Sequence, residues 1–167
     1  MHSHEQLLRN VSAELREDLE TRIDIIEHKL KYVTDKPSIA IIEGLNPLKL
    51  ASVNKELVSL VGGSLIELSG VQSWDDLKSI DPEIMVFAIK ELDIPQTLSA
   101  VFEQVPMSSL GELFAAKSNR LFIVNSAEFY GASDAQLVDH LELMAELINP
   151  KQFYFGFEGE GWVKISL

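Results

Sequence analysis

Cysteine is missing altogether from the 167 residues. That removes disulfides, thiolate nucleophiles and Cys-based metal sites at once, and it suits a cytosolic or a periplasmic setting equally. Basic residues are scarce: 14 Lys and Arg stand against 26 Asp and Glu, a formal net charge of −12. Nucleic acid and anionic lipid are held by concentrated positive charge, so such a surface repels both. The acidity serves solubility; an acidic docking face is the narrower reading. No apolar run approaches the ~20 residues that span a bilayer, so membrane insertion is not expected. The start, MHSHEQLLRN, has neither the basic n-region nor the apolar h-region of a secretion signal.

Catalytic vocabulary is equally thin. There is no G-x-S-x-G elbow and no P-loop, and Gly62-Gly63 falls short of a dinucleotide fingerprint. Gly159-x-Gly161 follows the last helix, where no helix N-terminus remains to hold a phosphate. His28 and His140 sit on different helices among charged neighbours, without a ligand partner at i+3 or i+4, and read as exposed. His2-Ser3-His4 lies at the very start and marks no metal site. The expectation is a protein that is not an enzyme and requires no cofactor or metal.

What is present is a core. Apolar residues make up 46% of the chain, enough at this length for one domain with its own interior. In residues 5–33, Leu8, Val11, Leu15, Leu19, Ile23, Ile26, Leu30 and Val33 recur every three or four positions, one face of a helix. Unbroken, it would run about 40 Å before Asp35-Lys36-Pro37 ends it. SIAIIE (38–43) then reads as a strand buried on both faces. A helix over 48–61 follows Asn46-Pro47 and closes on Gly62-Gly63, and SLIEL (64–68) is a short strand. Ser73 caps the next helix, with Asp76 at N3. EIMVFAI (83–89) is a strand, PQTLSAVFEQV (95–105) and LGELFAAKSN (110–119) are helices, and RLFIVN (120–125) is a strand. DAQLVDHLELMAELI (134–148) is an amphipathic helix, and QFYFGFEGEGWVKISL closes the chain as a hairpin or hook. Strands alternating with helices predict an α/β domain with a mostly parallel sheet.

Several strings in this order are informative together: KPSIAIIEGLNPLKLASVNKELVSLVGGS, SWDDLKSIDPEIMVFAI, RLFIVNSAEFYGASDAQLVDHLELMAELINP and FGFEGEGWVKI. From about residue 13 to 167 the chain resembles the C-terminal lobe of the helical-backbone periplasmic-binding-protein superfamily. These are the substrate-binding proteins of iron-siderophore and cobalamin ABC importers, and the cobalamin-binding branch has a very similar closing string. The resemblance implies a single Rossmann-like three-layer α/β lobe with a mostly parallel four- to five-stranded sheet, preceded by a long helix. Residues 1–34 would be the connecting helix, 35–167 the lobe, and 151–167 its terminal hairpin or hook. In this family two lobes face each other across a cleft, so one lobe carries half of it. Localisation would be periplasmic by family, or cytoplasmic if residue 1 is the true start.

The resemblance also implies where to look. Ligand would meet the C-terminal ends of the strands, here Glu43, Gly44 and Leu45, then Lys90 and Glu91, then Glu128, Phe129 and Tyr130. These loops depart from the family pattern. Gly44 stands where a tryptophan is usual, Lys90-Glu91-Leu92 replaces a Pro-Cys-Gly-Phe-like loop, and Gly131-Ala132-Ser133-Asp134-Ala135 lacks the arginines and prolines. The acidic residue that docks the lobe on its permease falls at Ala51. Two readings stay open. The lobe binds a corrinoid or iron chelate, with the missing wall supplied by a second copy or a separately encoded N-terminal lobe. Alternatively it is a protein-interaction module, a homodimer joined along the stripe Leu8, Val11, Leu15 and Leu19, which would otherwise stand in water.

Overall fold

The computed structural model describes Leu8 and residues 11–53, 55–67, 73–130 and 134–166, with 127, 128, 134 and 135 described for the main chain only. The residues 5–7, 9 and 10, the Gly131-Ala132-Ser133 loop, His2 and His4 lie outside them.

Helix α1 spans Ala13–Leu30, about 27 Å rather than 40 Å. It begins late because Ser12 is extended (φ −60°, ψ 151°) and acts as N-cap. The preceding chain turns back instead, with Val11 N donating to Leu8 O at 3.2 Å. This overturns the solvent-exposed stripe. Leu8 and Leu19 are fully buried, Val11 nearly so, and Leu15 packs against the same cluster. The lobe's own core takes up that face.

Strand β1 (Ser38–Leu45) is followed directly by β2 (Leu48–Leu50), paired antiparallel through Leu45↔Leu48 around the cis Asn46-Pro47 turn. The expected helix over 48–61 is therefore only α2, Lys55–Leu60. Leu48 and Leu50 are buried while Lys49 points out, a period of two that favours a strand. Gly62, at φ +92°, ends α2 in the left-handed conformation glycine tolerates best. A Cβ there would come within 3.0 Å of Leu30. Strand β3 (Ser64–Leu65) pairs parallel with the start of β1. Helix α3 (Trp74–Ile80) starts on Ser73, whose hydroxyl accepts Asp76 N.

Strand β4 (Ile84–Phe87) and strand β5 (Leu121–Val124) continue the parallel sheet beside β1. Between them lie α4 (Ile94–Gln104), α5 (Met107–Glu112) and α6 (Phe114–Lys117). Helix α7 (Ser126–Phe129) and helix α8 (Asp134–Ile148) lead to the tail. The tail ends in β6 (Trp162–Ile165), antiparallel to β5. Among the described residues the sheet has six strands, in the order β2-β1-β4-β5-β6, with β3 beside β1. Its middle is parallel and both margins are antiparallel.

Alternate side chains of each central strand enter opposite clusters. Ile39, Ile41, Ile84, Val86 and Phe122 face α1, α2 and α8, whereas Ala40, Ile42, Met85, Phe87 and Ile123 face α3 to α6. The result is the three-layer α/β lobe expected. No helix among the described residues is long and apolar enough to cross a membrane.

Candidate functional site at the strand C-termini

The three central parallel strands release their chains at one edge, where open α/β sheets present ligand sites. After β4 the chain still follows β1, with Ala88 N donating to Ile42 O (2.9 Å) and Lys90 N to Glu43 O (3.4 Å). It then reverses at Glu91, which takes φ +70°. Asp93 caps α4 in a reciprocal box with Gln96 (2.8 and 3.0 Å). After β5, Ser126 reaches across and donates its hydroxyl to Leu92 O at 2.7 Å. Tyr130 donates its hydroxyl to Ala88 O, also at 2.7 Å. Two side chains that follow β5 are thereby anchored to main-chain carbonyls that follow β4, which fixes the walls of a hollow of about 480 Å³. Lys90, Glu91, Gln96, Asn125, Ser126 and Tyr130 are among its lining residues.

Glu43 organises the charge. Its side chain is 6% exposed, yet it meets Lys49 Nζ at 2.9 Å and Lys90 Nζ at 3.2 Å. Burial alone would raise its pKa; the two ammonium partners outweigh that and lower it. Both lysines are mostly solvent-exposed, and Lys90 also lies over the Tyr130 ring, 5.6 Å from its centroid. Burial, followed by the nearby Glu43 charge, pushes the Tyr130 hydroxyl up, so it stays a proton donor at neutral pH.

The expected residues divide. Glu43, Lys90, Glu91 and Tyr130 stand at this edge. Leu45 and Phe129 are buried in the core, and Gly44 lies at an irregularity in the β1–β2 register. Glu128 is described for its main chain only. Sequence reasoning missed Lys49, which arrives through the hairpin, and Asn125 and Ser126, which follow β5 directly. Polar residues immediately after an apolar strand are the signal that marks the last two.

Two buried groups behind the site also escaped it. His140, expected to be exposed, is buried, because α8 is wedged between the sheet and other helices and hides most of its circumference. Its ring packs edge-on against Phe129 at 4.6 Å and hydrogen-bonds the Phe129 main chain, while Nδ1 has no partner among the described residues. Burial holds its pKa down to about 4. Glu146, 2% exposed on the same helix, accepts main-chain hydrogen bonds from Phe155, Gly156 (3.1 Å), Phe157 (3.1 Å) and Glu158 (3.2 Å), and one from Trp162 Nε1 (3.0 Å). One carboxylate thus gathers both ends of the closing FGFEGEGW segment. Among the described residues no group of three His, Asp or Glu side chains converges to hold a metal ion.

Solved structures share this lobe. A periplasmic heme-binding protein from Pseudomonas aeruginosa superposes with TM-score 0.67 at 19% identity, over 92% of this chain and 56% of that one. An ABC-transporter substrate-binding protein from Listeria monocytogenes gives 0.64 at 20%, over 80% and 55%. A protein of an ABC-type Fe3+-hydroxamate transport system from Saccharomonospora viridis gives 0.62 at 18%, over 81% and 48%. The chain therefore has the fold of one lobe of such proteins and spans about half the length of these structures. No protein-family model matches the chain, nor does any curated protein.

Proposed function

We propose that this chain is a non-enzymatic ligand-binding lobe that uses the hollow at the strand C-termini as half of a cleft. The observation that carries this reading is the edge itself. Loops after β4 and β5 are tied by side-chain hydrogen bonds around a hollow lined by Tyr130 and by Lys90, which pairs with Glu43 behind it, on a lobe shared with an ABC-transporter substrate-binding protein and a periplasmic heme-binding protein. The ligand class that the neighbours suggest is an iron-bearing chelate, heme or a ferric hydroxamate; a corrinoid follows from the sequence resemblance. Tight sites bury ~70–90% of a small ligand, and one wall does not reach that. The half-cleft is degenerate, so the chain alone binds weakly but saturably, and a second wall, from another copy or a separately encoded lobe, tightens the complex. Titration with heme, a ferric hydroxamate and a corrinoid, read by absorbance and calorimetry, tests it. Saturable binding that weakens in Tyr130→Ala supports the reading; no binding by any of the three removes it.

A protein-interaction module is the second reading, and one observation favours it. With the α1 stripe buried, Leu98 and Phe102, one turn apart on α4, remain 36% and 51% exposed. They lie on the same helix face, and α4 starts at the hollow. Self-association there predicts that Phe102→Glu shifts an apparent dimer to monomer in light scattering. A wild-type chain that stays monomeric across concentrations excludes self-association.

A further inference from the structure

At the opposite pole of the sheet the chain is locally cationic. Pro37, Glu83 and Arg120 immediately precede β1, β4 and β5, and they border a second hollow of about 980 Å³. Lys36, Arg120, Lys151 and Lys164 line it, against only two carboxylates, Asp35 and Glu83. Four cations and two anions leave +2 in a chain whose formal net charge is −12. Acids outnumber bases almost two to one, so a cation has every opportunity to pair. Arg120, Lys151 and Lys164 nevertheless make no ion pair with a carboxylate among the described residues.

Three of the four cations are engaged by groups other than a carboxylate. Arg120 is half-buried and donates one Nη to Ile148 O at 2.7 Å, which leaves its other donors without a carboxylate. Burial lowers its pKa and the nearby Glu83 charge works the other way without closing an ion pair; an arginine stays charged. Lys164 sits opposite Phe122 in the β5–β6 register and lies over that ring, 5.9 Å from the centroid. Lys36 contacts the Ser59 hydroxyl. Of the two acids, Glu83 is committed, because its Oε2 accepts Ser38 N at 2.8 Å. The C-terminus of α8 also ends here, and its negative pole would oppose an anion. That pole is already answered: Ile148 O takes Arg120, and Asn149 O takes Gln152 N (3.0 Å) and Phe153 N (3.1 Å).

We propose that this basal hollow binds a multivalent oxyanion, a polyphosphate or a polycarboxylate, with Arg120 at its floor and Lys151 and Lys164 at its rim. A guanidinium offers the forked donors that such oxygens match, and lysines add point charges. The site is separate from the strand C-terminal edge and does not depend on what binds there.

Calorimetric titration of the full chain with pyrophosphate and, separately, citrate at low ionic strength tests it. Saturable one-to-one binding of at least one is expected, weakening as salt is raised. Heat from pyrophosphate alone identifies phosphoryl chemistry; heat from both identifies charge as the determinant. Lys151→Glu with Lys164→Glu changes exposed side chains only, so the fold should persist, as a matched melting temperature would verify. That pair is expected to weaken binding at least about tenfold, whereas Lys55→Glu with Lys78→Glu, the same charge change at exposed lysines outside the hollow, should leave it unchanged. No saturable heat with either anion, unchanged affinity in the basal pair, or equal loss in the control pair would overturn the proposal.

Discussion

Glu146 shows what one buried carboxylate can organise. Five donors converge on it, four of them main-chain amides that have no strand partner in that turn. Its removal strands those donors in the interior, and leaving buried polar groups unmet costs more than the bonds themselves contribute. Glu146→Ala is expected to destabilise the fold by about 3 kcal/mol or more, with Glu146→Gln milder, by urea denaturation. Glu43 predicts an asymmetry. Removing both exposed lysines leaves a buried, uncompensated carboxylate, which is expected to cost about 2–3 kcal/mol. Glu43→Gln leaves two lysines free to be hydrated and should cost less. Equal effects in the same assay would show that the carboxylate is not the buried member that matters. For His140 the folded pKa, about 4, lies below the unfolded value of about 6.5. The unfolded chain therefore takes up a proton first as pH falls, and stability is lost between about pH 6.5 and pH 4. From pH 7 to 5 this amounts to roughly 2 kcal/mol, and His140→Gln should flatten that slope. The Glu43 contribution runs lower: its pKa is depressed, so it persists until pH falls below the ordinary glutamate range.

At the scale of elements, the closing string read from the sequence as a hairpin or hook is a sheet margin. Strand β6 closes the β5 edge, Trp162 is 3% exposed with its ring edge-on to Phe122 at 5.3 Å, and Phe153 is fully buried. Truncation after Pro150 removes all of this and leaves Glu146 without its donors. Loss of a cooperative thermal transition is the expected result, and an unchanged melting temperature would show that the tail is not part of the core. The central strands were legible because Ile39 to Ile42 and Ile84 to Phe87 are continuous apolar runs, the pattern of a sheet covered on both faces. The Ser73 and Gly62 helix ends were legible because capping chemistry is local. The β1–β2 hairpin was not, because Leu48-Lys49-Leu50 is too short for alternation to outweigh the helical periodicity that follows it. The extent of α1 was misread for a related reason. Leu8 and Val11 keep the helical spacing, but a turn at Ser12 delivers them to the same core by another route.

At the scale of the whole molecule, fold and site were legible to different degrees. The three layers follow from periodicity, whereas the hollow depends on which loops meet. Ser126 to Leu92 and Tyr130 to Ala88 are contacts 34 and 42 residues apart, and no local pattern announces them. The His140–Phe129 packing is likewise tertiary. The account places ligand at one pole, on a lobe that provides a single wall. The most direct test is titration of the full chain with heme, a ferric hydroxamate and a corrinoid, followed by absorbance, with Tyr130→Ala alongside. The account predicts a saturable spectral change with at least one of them, weakened in the variant. No change with any of the three, or binding indifferent to Tyr130, would contradict it.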